Sequence, residues 1–215
     1  MKYTAKNARS LFGAGSLFLL SLVFAACGGG QTDGGSSDAG TQTADAPPAA
    51  HTASSGTVLA GVAFDPPADW DDRGPSGMRQ AQFRLAPVSG DAAPGEVNVF
   101  YFGAASGGGV EANLQRWIGQ MVLPEGADPA AAAERGTFTA DGMNGHIVSL
   151  NGSYKSGGGR PMGGGGEVLP GYRLVGVVVE GPQGSLFFKL TGPLATVQAM
   201  EPQLLAMVKN ARKQG

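Results

Sequence analysis

The chain carries a single cysteine, Cys27, in 215 residues. A disulfide within the chain is therefore excluded. Histidine is almost as scarce, with only His51 and His146. One thiol and two imidazoles leave too few soft ligands for a Cys/His zinc centre. No H-E-x-x-H and no G-x-S-x-G occurs, so the zinc-peptidase and nucleophile-elbow settings are missing. The glycine-rich run "GGGRPMGGGG" lacks the G-K-[ST] that reaches phosphate and magnesium in a phosphate loop. Charged residues make up 15% of the chain, and no basic stripe or polybasic segment stands out. A nucleic-acid partner is not expected. No catalytic residue, cofactor site or metal site emerges, and the chain is not expected to be an enzyme.

What is present begins at the N-terminus. Lys2, Lys6 and Arg9 form a basic start without an acid, "LFGAGSLFLLSLVF" follows, and Ala25 and Ala26 precede Cys27. A basic region, a short apolar region and small residues at a cut make residues 1–26 a secretory signal peptide. The apolar stretch falls short of the roughly 20 residues that span a bilayer. "LVFAAC" resembles the bacterial lipobox, in which the thiol receives a diacylglyceryl group and the signal is cut just before it. The resemblance implies that Cys27 is the lipid attachment site and the first residue of the mature chain. Gly28 is not the aspartate that usually retains such proteins at an inner membrane, so the outer membrane is favoured. The expected location is the bacterial cell envelope, facing the periplasm.

Residues 28–57 contain no aromatic residue and no Leu, Ile, Val or Met. Such a segment buries too little apolar surface to offset its ordering entropy. With Cys27 it is expected to be a disordered tether, spanning on the order of 30 Å as a flexible coil. Residues 58–215 have the size of one domain. Lys2, Lys6 and Arg9 account for +3 of the chain's net −2, so removal of residues 1–26 leaves −5.

Within that domain, residues 58–64 read as a strand stopped by Pro66 and Pro67. "MRQAQFRL" sets Ala81, Phe83 and Leu85 against Gln80, Gln82 and Arg84, the period-two pattern of a half-buried strand. Val97, Val99 and Tyr101 alternate in the same way, and the two segments form a hairpin. Val110, Leu114, Trp117, Ile118 and Met121 make one apolar stripe of a helix ended by Pro124. Trp117 is expected as a core anchor against the sheet. "RGTFTADGMNGHIVSLNGSY" is a second hairpin about "DGMNG". "YRLVGVVVEG" and "SLFFKLTG" form a third, with residues 174–179 as a central strand. A C-terminal helix starts at Pro193 and is kinked or split at Pro202. The economical arrangement is an α+β fold: an antiparallel sheet packed by a central helix and a C-terminal helix.

The order of elements resembles the PsbP fold shared by bacterial DcrB-type lipoproteins. The residues that carry it are Phe64–Asp65–Pro66–Pro67 with Trp70, the central helix, and the strand Leu186 to Leu190 running into the helix from Pro193. "MRQAQFRL", "NLQRW" and "FFKLTGP" are also similar to segments of uncharacterised envelope lipoproteins. The resemblance implies an α/β/α sandwich acting as a non-catalytic binding or assembly module with an envelope protein partner. No residue matches a calcium or manganese ligand set of that family. The alternative function is a carrier or sensor of a small apolar ligand held between sheet and helix.

Three further features invite a site. Asp65, Asp69, Asp71 and Asp72 crowd one loop, but their spacing is not that of a calcium-binding loop, and a solvated loop is expected. His146 is expected at a strand edge rather than as a ligand. Arg160 and Met162 interrupt the glycine run 157–166, and an arginine beside a soft apolar side chain suits contact with a protein partner.

Overall fold

The computed structural model describes residues 56–104, 106–125, 127–157 and 166–214. Its elements in order are β1 (Thr57–Leu59), β2 (Val62–Phe64), β3 (Asp71–Asp72), β4 (Arg79–Leu85), β5 (Gly95–Tyr101), α1 (Val110–Ile118), β6 (Met121–Val122), α2 (Pro129–Ala132), β7 (Glu134–Ala140), β8 (Met143–Lys155), β9 (Val168–Gly181), β10 (Gly184–Pro193), α3 (Leu194–Lys209) and β11 (Arg212–Lys213). The fold is α+β. One antiparallel sheet runs in the order β3-β4-β5-β10-β9-β8-β6, with β7 also paired to β8, and β1, β2 and β11 make a small second sheet.

The alternating strands fall where the hydrophobic pattern puts them. Ala81, Phe83 and Leu85 of β4 are buried while Gln80 and Arg84 are exposed. Strand β9 lies between β10 and β8, and Leu174 to Val179 are buried on both of its faces. Burial on both faces explains the unbroken apolar run. Each face then receives one helix. On one side Val197, Leu204, Met207 and Val208 of α3 join Val97, Val99, Val175, Val177, Leu186 and Phe188. On the other, Leu114, Trp117 and Ile118 of α1 join Val148, Leu150, Leu174, Val178 and Phe187. Trp117 is the expected anchor: it is 6% exposed, and it packs flat on Gly176 of the central strand.

Several boundaries differ from the sequence reading. The strand expected over 58–64 is a hairpin, because Ala60 and Gly61 both adopt positive φ (50° and 72°). Two such residues in succession form the tight turn that suits a two-residue hairpin. The second hairpin turns on Asp141 and Gly142 alone, again with positive φ, so Met143 to Gly145 already belong to β8. Helix α1 stops at Ile118, before Pro124; Met121 continues its apolar stripe from a short strand, β6. Pro202 does not split α3, which is one helix over Leu194–Lys209. The short helix α2 and the strand β11 have no counterpart in the sequence reading.

Helix α3 begins after Pro193 and has no cap from its own N-cap side chain. Its free N–H groups are met from elsewhere. Asp91, in the loop between β4 and β5, accepts from the Thr196 backbone N–H at 2.8 Å and from its hydroxyl at 2.6 Å. A carboxylate at a helix N-terminus also complements the dipole. Asp91→Ala is therefore expected to cost about 0.5–2 kcal/mol, the usual loss of a capping oxygen. Urea unfolding followed by circular dichroism checks this; an unchanged midpoint would show that the cap is dispensable.

Candidate functional site

Among the described residues no three His, Cys, Asp or Glu side chains gather as a metal could require. The aspartates of the first loop are dispersed among separate partners. Asp65 accepts from Arg212 at 2.8 Å, Asp71 pairs with Arg73 at 3.1 Å, and Asp72 accepts from the Gly74 backbone N–H. Asp69 meets Gln203 at 3.5 Å, and Gln203 in turn accepts from Trp70 Nε1 at 2.8 Å. Trp70 itself is buried against Phe83, with ring centroids 5.7 Å apart. This loop is a seam that locks the chain onto α3. His146 sits within β8, between Thr137 and Val178 of its neighbouring strands, with its Nε2 3.8 Å from Glu180. Cys27, Arg160 and Met162 lie outside the described residues.

The most heavily buried charge is Arg173 of β9, which is 7% exposed. Its guanidinium donates to Glu201 (2.8 and 3.1 Å), Asn151 (2.8 Å), Ser149 (2.9 Å) and Glu134 (3.3 Å). Burial acts to lower its pKa, but Glu201 and Glu134 outweigh that and raise it. Each of its three nitrogens donates at least once, and the cluster joins β7, β8, β9 and α3.

A second buried cation is differently placed. Lys189 lies on β10, in register with Asn98 of β5 and Gly176 of β9. Asn98 is in turn opposite Gln82 of β4. Direct cross-strand partners share a face, so Gln82, Asn98 and Lys189 form a polar row across three strands, beside the part of that face covered by Trp117. The row is only partly satisfied: Asn98 Oδ1 is buried without a hydrogen-bond partner. Lys189 is 9% exposed. Its Nζ donates to Gln120 Oε1 and to the Tyr154 hydroxyl, each at 3.0 Å, and lies 5.3 Å from the centre of the Tyr154 ring.

A surface cavity of ≈ 400 Å³ opens beside this row, lined by Lys189, Arg79, Phe100, Tyr154, Met78 and Ser76 together with Gly77 and Gly157. The lining holds two cations and no acid. Gly157 is the last described residue before the run that contains Arg160 and Met162. Tyr154 stacks on Tyr172, with centroids 6.1 Å apart and planes 10° from parallel. Burial, then the charges of Glu167, Glu96 and Asp91, push the Tyr172 phenol above its ordinary pKa. None of those carboxylates lines the cavity. Sequence reading missed Lys189. The signal was a lysine set in "LFFKL", inside a strand that is otherwise apolar.

No family model matches the chain, and no curated protein matches it. Solved structures similar to the chain include the following two. One is a Pseudomonas aeruginosa protein of unknown function described as a putative regulator, 18% identical, with 72% of this chain and 92% of that chain covered and a TM-score of 0.38. The other is the cyanobacterial PsbP (CyanoP) of Synechocystis, 11% identical, with coverages of 72% and 87% and a TM-score of 0.40. At these scores neither carries a functional argument. The α+β assignment rests on the sheet order and on the two helices that cover its faces.

Proposed function

We propose that this chain is a lipoprotein of the bacterial cell envelope whose domain is a non-catalytic binding or assembly module. The observation that carries the reading is Cys27: a basic start, a short apolar run and a small pair stand directly before it, and the composition of residues 28–57 suits a tether. Lipidation at this thiol supplies two acyl chains, and two anchor signals hold a protein firmly where one does so only marginally. Anchored in this way, the domain faces the periplasm, with the outer membrane favoured. The domain supports a binding role in two ways. Its most buried arginine is held by structural partners, and its described histidine lies 3.8 Å from Glu180 with no hydrogen bond at Nε2. Arg160 and Met162 are proposed contacts with the protein partner.

Crosslinking in native membranes tests the module. The parent chain is compared with an unrelated domain carried on residues 1–57 and with an Arg160→Ala, Met162→Ala variant. An envelope protein captured reproducibly by the parent but not by the unrelated domain is expected. Capture identical for the two domains would contradict the reading. Capture unchanged in the double variant would remove only the assignment of Arg160 and Met162.

The alternative of a wholly apolar ligand between sheet and helix is disfavoured by the packing of Trp117 directly on Gly176, which fills that space. The cavity beside it is charged.

A further inference from the structure

We propose that the cavity at Lys189 binds a small organic oxyanion, a carboxylate or phosphate carried on an apolar body. The inference deepens the reading of the domain as a binding module and rests on it.

The Lys189 ammonium group has three N–H donors. Gln120 and Tyr154 take two of them, and both are neutral. Among the described residues, the ion pairs are made by Arg73, Arg135, His146, Arg173 and Arg212, and none involves Lys189. Removing a cation from water without a counter-charge is costly. The contrast with Arg173 is direct: two carboxylates meet that buried cation, whereas Lys189 has only dipoles and an aromatic face.

The side chain also has somewhere to direct its charge. It lines an open cavity of ≈ 400 Å³, within the ~300–1,000 Å³ range of small-molecule sites. Arg79 stands on the same wall, and among the described residues its hydrogen bond to another side chain is a long one, 3.4 Å to Gln82 Oε1. A planar guanidinium with free donors beside a buried ammonium is the donor set that an oxyanion uses. The rest of the wall includes two large apolar side chains. Phe100 presents its ring, and Met78 is 71% exposed. An exposed methionine is adaptable and polarizable, and such side chains recur at binding surfaces. The oxyanion faces Lys189 and Arg79 while the apolar body lies on Phe100 and Met78.

The test titrates the full chain, in detergent, with inorganic phosphate, phenyl phosphate, benzoate and a soluble short-chain phosphatidic acid, read by calorimetry and by amide shifts of β10 and β5. Phenyl phosphate or benzoate is expected to bind in the millimolar range or better. Phenyl phosphate is expected to bind at least about tenfold more tightly than inorganic phosphate. Lys189→Met, which keeps the stem and removes the charge, is expected to weaken binding at least about tenfold. Should that variant fail to fold, Arg79→Gln, at a half-exposed position, reads the same site with the core untouched. Tighter binding of the phosphatidic acid identifies the source as a lipid headgroup, and tighter binding of the aromatic anions identifies it as a soluble metabolite. No binding of any organic anion, or binding unchanged in both variants, would overturn the proposal. No anion binding by the parent chain, with partner capture intact, overturns this inference alone. The reverse result overturns the assembly reading alone.

Discussion

Gly176→Val is expected to be among the most damaging substitutions in the domain. A Cβ at Gly176 would overlap Cε3 and Cζ3 of Trp117, whose indole is buried in the cluster beneath α1. Trp117 also meets Phe187 edge-on, with centroids 6.4 Å apart. Overpacking of a filled core costs about 1–3 kcal/mol, and more where a ring cannot move. Trp117→Ala acts from the other side of the same contact and is expected to cost about 3–5 kcal/mol. Either loss is a large part of a typical domain's stability. The two effects are coupled. In a Trp117→Leu background, Gly176→Val should cost less than it does alone, because the clashing ring is gone. Urea unfolding of the four chains measures the coupling. Simple additivity of the two changes would contradict the direct packing of Trp117 on the central strand.

Arg173→Ala is the second substitution with a large expected effect. It leaves Glu201, whose side chain is 18% exposed, without its partner, and it frees Asn151 and Ser149. Removing one member of a buried pair costs about 3–5 kcal/mol. Replacing Arg173 and Glu201 together by Met and Leu should cost much less, since no charge is then stranded. The same cluster sets part of the acid sensitivity. The hydroxyl of Ser149, and then Arg173, hold the Glu134 carboxyl below its ordinary value. Arg135, and then Gln115, do the same for Glu111. A depressed carboxyl contributes stability that is fully present above the unfolded-state value and is lost as pH falls through the folded one. Both carboxyls are largely in water, so screening keeps each contribution small. The urea midpoint should therefore be flat near neutrality, fall gently below about pH 4.5, and lose part of that acid slope in Arg173→Ala. A midpoint that rises on acidification would contradict the assignment.

Much of the fold was legible because local pattern and tertiary packing agree. The alternation in "MRQAQFRL", the apolar run of β9 and the stripe through Leu114, Trp117 and Ile118 each correspond to a face that is buried. The misreadings occur where tertiary contacts decide. Ala60 adopts a left-handed conformation that an alanine rarely takes, and the hairpin it forms is completed by β11, from the far end of the chain. Met121 satisfies the helical stripe, but Gly119 ends the helix, and the methionine reaches the same core from a strand. Of the two outcomes expected at Pro202, splitting does not occur: α3 is pinned to the sheet on both sides of it by Val197 and by Leu204, Met207 and Val208. That packing outweighs the lost backbone bond.

The site was less legible. The proposal at Cys27 rests on its flanking sequence alone, which is local. Lys189 cannot be read in that way: a lysine within a strand reads as an exposed polar residue until the sheet order places that strand between β5 and β9. Its meaning depends on what stands opposite, Asn98 and Gly176, and on Arg79 arriving from β4. These are contacts between segments far apart in sequence, which no local period encodes.

The central claim is that the mature chain begins at Cys27 and is held to a membrane there. The most direct measurement is the intact mass of the N-terminal peptide from the parent and from Cys27→Ser, each expressed in a bacterial host and separated into membrane and soluble fractions. The account predicts a parent that starts at Cys27, carries the added mass of a diacylglyceryl group and stays with the membrane, while Cys27→Ser lacks that mass and leaves the membrane. Equal masses after allowance for the substitution, with equal membrane association, would contradict it.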